Sequence, residues 1–394
     1  MRKLLAATAV AALTGGAGWA EDVKIGLSMG FTGPLESMSP NMAQSAEMAI
    51  REVSDSGKLL GGSKVQAVRA DSTCADAAAA VTAVERLVTA EKVNGIVGGM
   101  CSGETIASLE KVGVPNGIVM ISPSATSPAL TDIDDKGFFF RTSPSDARQG
   151  EVMADIAAER GVKSVAITYT NNDYGKGLAE SFKNAFEKKG GKVTIVAAHE
   201  DGKADYSAEV GALSAAGGDA LAVVGYVDQG GSGIMRGVLD AGAFSTFILP
   251  DGMIGQPVVD KFGAELETSF GQNPSSEGAG RDSFGGLAKA AGFDGTSAFT
   301  GESYDATALI LLAMEAAKSS DPKVYKDKVM EVANAPGEKI GPGELAKGLE
   351  LIAAGQDIDY DGASAVEFVD PGESAGTYRE VDFKGGTLNV VRIH

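Results

Sequence analysis

Apolar strand signals alternate with amphipathic helix signals along most of this chain, and that order constrains the fold more than any single motif does. Val23 to Met29 reads as a strand that breaks at Thr32-Gly33-Pro34. Asn41 to Val53 follows as a helix with Met42, Ala46, Ala49, Ile50 and Val53 on one stripe. Val65 to Ala70 (strand), Ala75 to Ala90 (helix), Val93 to Gly98 (strand), Glu104 to Val112 (short helix) and Ile118 to Ile121 (strand) continue the series. A strand, a crossover helix and a further strand close into a right-handed unit of parallel sheet, and repeated units cover both sheet faces with helices.

The series restarts after Phe138-Phe139-Phe140-Arg141-Thr142-Ser143-Pro144. Asp146 to Arg160 reads as a helix ended by Gly161, Ser164 to Tyr169 as a strand, Gly177 to Lys189 as a helix and Val193 to Ala198 as a strand. Leu221 to Tyr226 (strand), Ile234 to Ala241 (helix) and Phe247 to Pro250 (strand) complete a second doubly wound unit. Beyond Asp251 the texture changes. Residues 271–301 are rich in Gly and Ser and read as a long loop region with little core of its own. Ser303 to Lys318 and Asp321 to Ala333 read as helices, and Ala365 to Val369 and Leu388 to Ile393 as strand-like pieces of the tail.

The first twenty residues are set apart from this pattern. Arg2 and Lys3 precede the apolar run Leu4 to Leu13, and Gly18-Trp19-Ala20 offers small residues before Glu21. That is the layout of a secretory signal peptide over residues 1–20, removed after Ala20, and it is too short for a membrane span. No Cys lies near the cleavage point, so no membrane anchor is expected. The remaining 374 residues (394 minus 20) suffice for two domains with full cores.

Charge and cysteine content narrow the partners. The formal charge is −19, and losing Arg2 and Lys3 takes it to −21. So acidic a surface repels phosphate backbones and anionic lipid, which argues against a nucleic-acid partner. Cys74 and Cys101 are the two cysteines, the right number for one disulfide in an oxidising compartment. With His199 and His394 as the two histidines, soft ligands are too few for a zinc site, and no metal or cofactor is expected.

Placement of the polar residues points to binding rather than conversion. Ligands of parallel α/β sheets sit beyond the carboxyl ends of the strands. Those positions carry Met29-Gly30-Phe31, Cys101 to Thr105, Ser122 to Ser127, Asn171 to Gly175, Gly225-Tyr226 and Pro250-Asp251-Gly252. The loop Ile121 to Pro128 follows an apolar strand and presents hydroxyls and backbone N–H groups between two prolines, which suits a small anion. Ser102, Ser124 and Thr126 are candidate anion donors, and Asp251 is placed to take an ammonium group. Phe31, Tyr174, Tyr226 and Tyr304 are candidate apolar walls. Enzyme signatures are missing: there is no G-K-[ST] phosphate loop, no dinucleotide glycine spacing and no G-x-S-x-G elbow. The chain is expected not to be an enzyme.

These residues resemble a family, the periplasmic substrate-binding proteins of branched-chain amino-acid ABC transporters. Gly26 to Pro34 is similar to that family's first strand and turn, and Asp71 to Cys74 with Gly98 to Ser102 to its disulfide-bearing segments. Met120 to Thr131 is the most specific match, and Asn172 to Ala179 and Pro250-Asp251-Gly252 complete it. The resemblance implies a type I periplasmic binding protein, or Venus-flytrap: two lobes joined by a multi-strand hinge. It implies lobe 1 from 21–141 plus 252–374 and lobe 2 from 142–251 plus 375–394. A Cys74–Cys101 disulfide goes with it. So does a carboxylate site of Ser102, Ser124, Ala125 and Thr126, an ammonium site at Asp251, and side-chain walls of Tyr174, Tyr226 and Tyr304. The family's aromatic after the Gly-Pro turn is absent, and Met38 is the nearest equivalent. The implied function is capture of an amino acid, branched-chain or similarly small and apolar, for delivery to an ABC permease and its ATPase by a periplasmic monomer. Two alternatives keep the fold: another small carboxylate ligand (4-aminobutyrate-like or aromatic), or ligand sensing for a membrane receptor.

Overall fold

The computed structural model describes residues 22–394, so the expected signal peptide lies outside the described residues. The first lobe opens with β1 (Val23–Met29), α1 (Ser39–Ser56), β2 (Val65–Asp71), α2 (Ala77–Thr89), β3 (Gly95–Gly98), α3 (Ser102–Ser108), α4 (Val114–Asn116), β4 (Met120–Ser122) and β5 (Phe139–Arg141). These strands pair in parallel in the order β5-β4-β3-β1-β2. In β1, Val23, Ile25, Leu27 and Met29 have no exposure and the intervening Ser28 almost none, because helices cover both faces.

The second lobe runs through α5 (Asp146–Glu159), β6 (Ser164–Thr170), α6 (Asp173–Lys188), β7 (Lys192–His199), α7 (Ser207–Ala216), β8 (Ala220–Val224), α8 (Gly230–Asp240), β9 (Phe247–Leu249), α9 (Gln256–Phe262) and β10 (Phe270–Pro274). Its strands lie in the order β10-β9-β8-β6-β7, the same winding as in the first lobe. Helix starts are fixed locally. The side chains of Asp76, Ser145 and Asn172 each accept a bond from a backbone N–H of the helix that follows.

The chain then returns to the first lobe through α10 (Ala279–Ala291), α11 (Thr300–Ala317), α12 (Pro322–Tyr325), α13 (Val329–Ala333), β11 (Glu338–Ile340), α14 (Leu345–Ala353) and β12 (Ile358–Tyr360). Next, β13 (Phe368–Val369) and β14 (Glu373–Ser374) extend the first sheet beyond β5. Finally β15 (Tyr378–Asp382) and β16 (Asn389–Ile393) add antiparallel strands to the second sheet beside β10. The two α/β lobes are therefore connected three times: after β5, after β10 and after β14. The crossings are tied together, since Ser275 N–H donates to the Thr377 carbonyl at 3.0 Å and the Tyr378 hydroxyl to the Ser145 carbonyl at 3.3 Å.

Helix α11 is the spine of the first lobe. Every residue from Thr300 to Glu315 is buried, because α1, α13 and α14 pack around it and the ends of β3 and β4 lie beneath it. A Leu309→Ala cavity there would cost about 2–5 kcal/mol.

Three expectations need correction. Residues 271–301 are not a coreless loop. They supply β10, which lies inside the second sheet, and α10, whose Phe284 and Ala288 are fully buried. The reason is that β10 is held by its neighbours β9 and β15, while its own sequence carries one large apolar side chain, Phe270. The lobe boundary expected at Asp251 consequently lies too early, because the second sheet continues to Pro274. The helix expected over Asp321 to Ala333 is broken into α12, a 3₁₀ turn at Lys326–Lys328, and α13.

Candidate functional site

Strand order places the site. In both sheets the winding reverses beside the first strand, between β1 and β3 and between β6 and β8, and ligands of such sheets bind beyond the strand ends at that point. The loops after β3 and β4 meet the loops after β6, β8 and β9 around one small cavity. Its lining is Ser102, Ser124, Tyr174, Tyr226 and Asp251, completed by Leu35, Met100, Cys101, Gly252 and Phe299.

The second-lobe wall is an acid beside a pair of stacked aromatics. Tyr174 and Tyr226 stack with ring centres 5.3 Å apart and planes 13° apart. The Tyr174 hydroxyl donates to Asp251 Oδ1 at 2.7 Å, and Gln149 Nε2 donates to the same oxygen at 2.9 Å. Asn172 Nδ2 donates to the Tyr226 hydroxyl at 3.2 Å. Gly252 is required by close approach: a Cβ there would stand 2.6 Å from the Gly225 carbonyl and 3.1 Å from the Tyr174 hydroxyl. Burial raises the Asp251 carboxyl above its ordinary range, against the hydrogen bonds from Tyr174 and Gln149 that favour its charge.

The first-lobe wall is built of hydroxyls held by backbone. Ser124 Oγ donates to the Met100 carbonyl at 2.8 Å, and Ser102 Oγ accepts from the Ser127 N–H at 3.1 Å. Ser122 Oγ accepts from the N–H of Ala125 at 2.9 Å and of Ser124 at 3.2 Å, which folds the loop back on itself. A disulfide joins Cys74 to Cys101 and so ties the loop after β2 to the loop after β3. Beneath it Glu104 accepts from Ser72 Oγ and from the N–H groups of Cys74, Met100 and Cys101, at 2.9 to 3.1 Å. Burial still lifts its carboxyl to about 7. Among the described residues, Cys74, Cys101 and Glu104 are the only trio of metal-type ligands within reach of one another, and both sulfurs are already bonded.

The lobes touch around this cavity. Ser127 Oγ donates to the Asp173 carbonyl at 3.0 Å, and the turn at Pro34 to Ser37 exchanges two bonds with Asp228. The cavity measures about 20 Å³, close to the minimum for one water. A separate cavity of about 400 Å³ lies on the other side of Cys101, lined by Asn171, Asn172, Lys176, Asp201 and Gln229 among others.

Other expected site residues lie elsewhere. Tyr304 is fully buried inside the first lobe: its hydroxyl bonds Glu52 and accepts from the Gly343 N–H. Helix α11 begins at Thr300, which carries Tyr304 past the cleft and leaves Phe299, at φ 62°, facing it. Met38 is buried at the start of α1, and Leu35 lines the cavity in its place. Phe31 packs under the Arg69 guanidinium 5.4 Å away. Ala125 and Thr126 sit behind the wall. The Ala125 carbonyl accepts from Arg141 Nη1 at 3.2 Å and the Thr126 carbonyl from the Asp146 N–H at 2.8 Å. Gln149, which bonds Asp251, and Asp146 on the same face of α5 were not among the expected site residues, and their sequence does not set them apart from other polar residues at a helix start.

Comparison with known proteins identifies the family and the fold. A family model described as periplasmic binding protein matches residues 22–337. The chain belongs to that family. A Leu/Ile/Val-binding protein homolog of Brucella abortus is 31% identical over 373 residues, covering 92% of this chain and 92% of the relative. In the solved structures the fold recurs in the branched-chain amino acid transporter substrate binding protein of Streptococcus pneumoniae in complex with isoleucine. That match has a TM-score of 0.77 and 22% identity, over 94% of this chain and 99% of the other. It recurs also in a solute binding protein of Rhodopseudomonas palustris in complex with 4-hydroxybenzoate, with TM-score 0.76 and 17% identity over 95% and 97%. Among the described residues no helix is long and apolar enough to cross a membrane.

Proposed function

We propose that this protein is a periplasmic solute-binding protein that captures a small apolar amino acid between its lobes and presents it to an ABC permease. One observation carries the reading. A buried carboxylate, Asp251, lies beside two stacked tyrosines of one lobe and lines the same cavity as Ser102 and Ser124 of the other. An ammonium needs the first, a carboxylate the second, and a molecule bearing both spans the cleft. The family, and the Leu/Ile/Val-binding name of its Brucella relative, support the same class of ligand.

In this reading the Ser102 hydroxyl, whose hydrogen is not used by the Ser127 contact, takes the carboxylate together with the Ser124 hydroxyl once that turns from the Met100 carbonyl. Asp251 takes the ammonium, and Tyr174, Tyr226, Phe299 and Leu35 enclose the side chain. The ligand touches both lobes only when they are shut, so it stabilises the closed form differentially, and the three crossings absorb the hinge motion. A cavity near the size of one water requires the lobes to part before an amino acid enters. The closed form is the species a permease would recognise, and the chain acts as a monomer.

The test is calorimetric titration of the mature protein with leucine, isoleucine, valine, alanine, 4-aminobutyrate and 4-hydroxybenzoate. Saturable binding of one of the first four supports the reading. Binding of 4-hydroxybenzoate alone would reassign the chain to carboxylates without an ammonium.

A further inference from the structure

Of two buried acids close to α5, hydrogen-bond donors reach only one. Asp146 opens the helix with no exposure, and the Thr126 hydroxyl approaches its carboxyl without closing a bond. Asp251, 2% exposed, takes two side-chain donors on Oδ1: the Tyr174 hydroxyl from α6 at 2.7 Å and Gln149 Nε2 from α5 at 2.9 Å. No side chain among the described residues donates to Oδ2. Gln149 is itself fully buried, and its Oε1 has no partner. A methionine would fill nearly the same volume without leaving a carbonyl unpaired in the interior, so the amide is kept for its N–H end. That end cannot turn over, because Oε1 in its place would set two acceptors against each other. Close packing holds the donor in reach. Gly150, the next residue, lies so near α6 that a Cβ there would stand 2.6 Å from the Phe182 backbone nitrogen.

We propose that Gln149 is a positioning residue that makes the site select an amino acid over the hydroxy acid of the same shape, by holding Asp251 as a carboxylate with Oδ2 left for the ligand ammonium. The inference rests on the amino-acid reading given above. A charged acceptor gains far more from an ammonium than from a neutral hydroxyl. A protonated carboxyl has no such preference, since its O–H can donate to the hydroxyl oxygen and it carries no charge. Whatever keeps Asp251 ionised therefore sets the ratio between the two ligands. Burial works against ionisation, and the donors from Tyr174 and Gln149 work for it. Tyr174 also lines the cavity. Gln149 does not, so it acts on the ligand through Asp251 alone.

The groups that face Asp251 are Asp146 from α5, Tyr174 from α6, Tyr226 after β8 and Tyr378 from β15. Burial raises all four well above their ordinary ranges, so the three phenols stay neutral. Arg141, which faces Asp146, is committed to Glu373 at 2.5 Å and to the carbonyls of Ala125 and Ser127. Arg148 pairs with Glu151 on the outer face of α5. None of these groups brings a free cation to Asp251, which leaves its charge to the two donors and the ligand.

The experiment is calorimetric titration of the mature protein with leucine and 2-hydroxy-4-methylpentanoate at pH 6, 7 and 8, with alanine and lactate as a second pair. The weaker member of each pair is read by displacement of the stronger. The ratio of the two Kd values is the readout, because other titrating groups, such as Glu104 at about 7, enter both and cancel. Wild type is expected to prefer the amino acid by the same factor at all three pH values. Gln149→Met is expected to lower that factor about 10-fold at pH 8 and about 100-fold at pH 6, since Asp251 without this donor takes up a proton as pH falls. Gln149→Asn, one methylene shorter and so out of reach, should do the same, and serves should the first variant fail to fold. A loss of affinity common to both ligands, with the ratio unchanged, marks Gln149 as merely structural and overturns the proposal. A wild-type ratio that falls as pH falls overturns it without any variant. Either result leaves the amino-acid reading intact, whereas no binding of leucine or alanine overturns that reading and this proposal together.

Discussion

The backbone N–H of Ser37 donates to Asp228 Oδ2 at 2.9 Å, and the two residues belong to different lobes. The Asp228 N–H returns a bond to the Pro34 carbonyl at 3.2 Å, so the pair forms a latch at the rim of the cleft. Because the latch exists only in the closed form, it should add to ligand affinity without touching the ligand. Asp228→Ala is expected to raise the Kd for the bound amino acid about 5-fold, the worth of roughly 1 kcal/mol for an exposed hydrogen bond. Calorimetric titration reads this directly, and an unchanged Kd would remove the latch from the closing energy.

Asp251→Asn separates stability from function. The substitution keeps shape but removes a carboxylate whose charge burial disfavours. The free protein should melt at the same temperature or higher, while affinity for an ammonium-bearing ligand falls by about 2–5 kcal/mol. Thermal melts with and without ligand measure both. A variant that melts lower and binds normally would assign Asp251 a structural task.

Phe299 and Tyr304 offer a matched pair. Phe299→Ala opens the wall of the cleft and should weaken binding by about 1–3 kcal/mol, with a smaller change in melting temperature of the free protein. Tyr304→Phe deletes a hydroxyl bonded to Glu52 and Gly343, far from the cleft. It should lower stability by about 1–3 kcal/mol and leave the Kd as it was. If the Tyr304 variant changes ligand preference instead, that hydroxyl reaches the site by a route the closed form does not display.

Two buried groups should oppose each other in acid. Burial raises Glu104 to about 7 and lowers His199 to about 4. Folded Glu104 holds its proton more tightly than the unfolded chain does, so its contribution is complete below its ordinary pKa near 4.5 and is lost as pH rises to about 7. Folded His199 holds its proton less tightly, so stability is lost as pH falls from 6.5 to about 4. Each displacement is worth about 3 kcal/mol, and between pH 4.5 and 6.5 the two slopes largely cancel. Relative to the parent, His199→Gln should lose stability as pH rises through that window and Glu104→Gln should gain it. Urea unfolding at several pH values checks the signs.

Breaking the Cys74–Cys101 bond should cost about 3–4 kcal/mol on the chain-entropy model for its 27-residue separation. The double variant to Ala should also bind more weakly, because the Cys101-Ser102 loop is aligned through that bond. Reductant should shift the melting temperature of the parent and leave that of the double variant unchanged.

Much of this fold was legible because alternation of apolar runs and amphipathic stripes needs no tertiary context. The strand-end loops at Ser102, Ser124, Tyr174, Tyr226 and Asp251 could be placed from strand positions alone. Strand β10 could not. Its Gln272 and Asn273 are buried by partners distant in sequence, and Asn273 Oδ1 accepts from Arg379 Nε across 106 residues. Phe299 was hidden by register. Ser303 is as plausible a helix start as Thr300, and the three-residue difference decides whether Phe299 or Tyr304 meets the cleft. Asp146 and Gln149 read as ordinary residues of a helix's first turn, and only packing against Asp251 gives them meaning.

The lateness of β15 has a consequence for how the chain reaches this state. Until residues 378–382 emerge, β10 has β9 on one side and an open row of backbone N–H and C=O groups on the other. That unpaired edge is a template for strands of other nascent chains while the roughly one hundred residues between β10 and β15 are made. The second lobe gains its final neighbour only when the end of the chain arrives. Escape from aggregation then depends on keeping the growing polypeptide unfolded or sheltered until its last strands have been made.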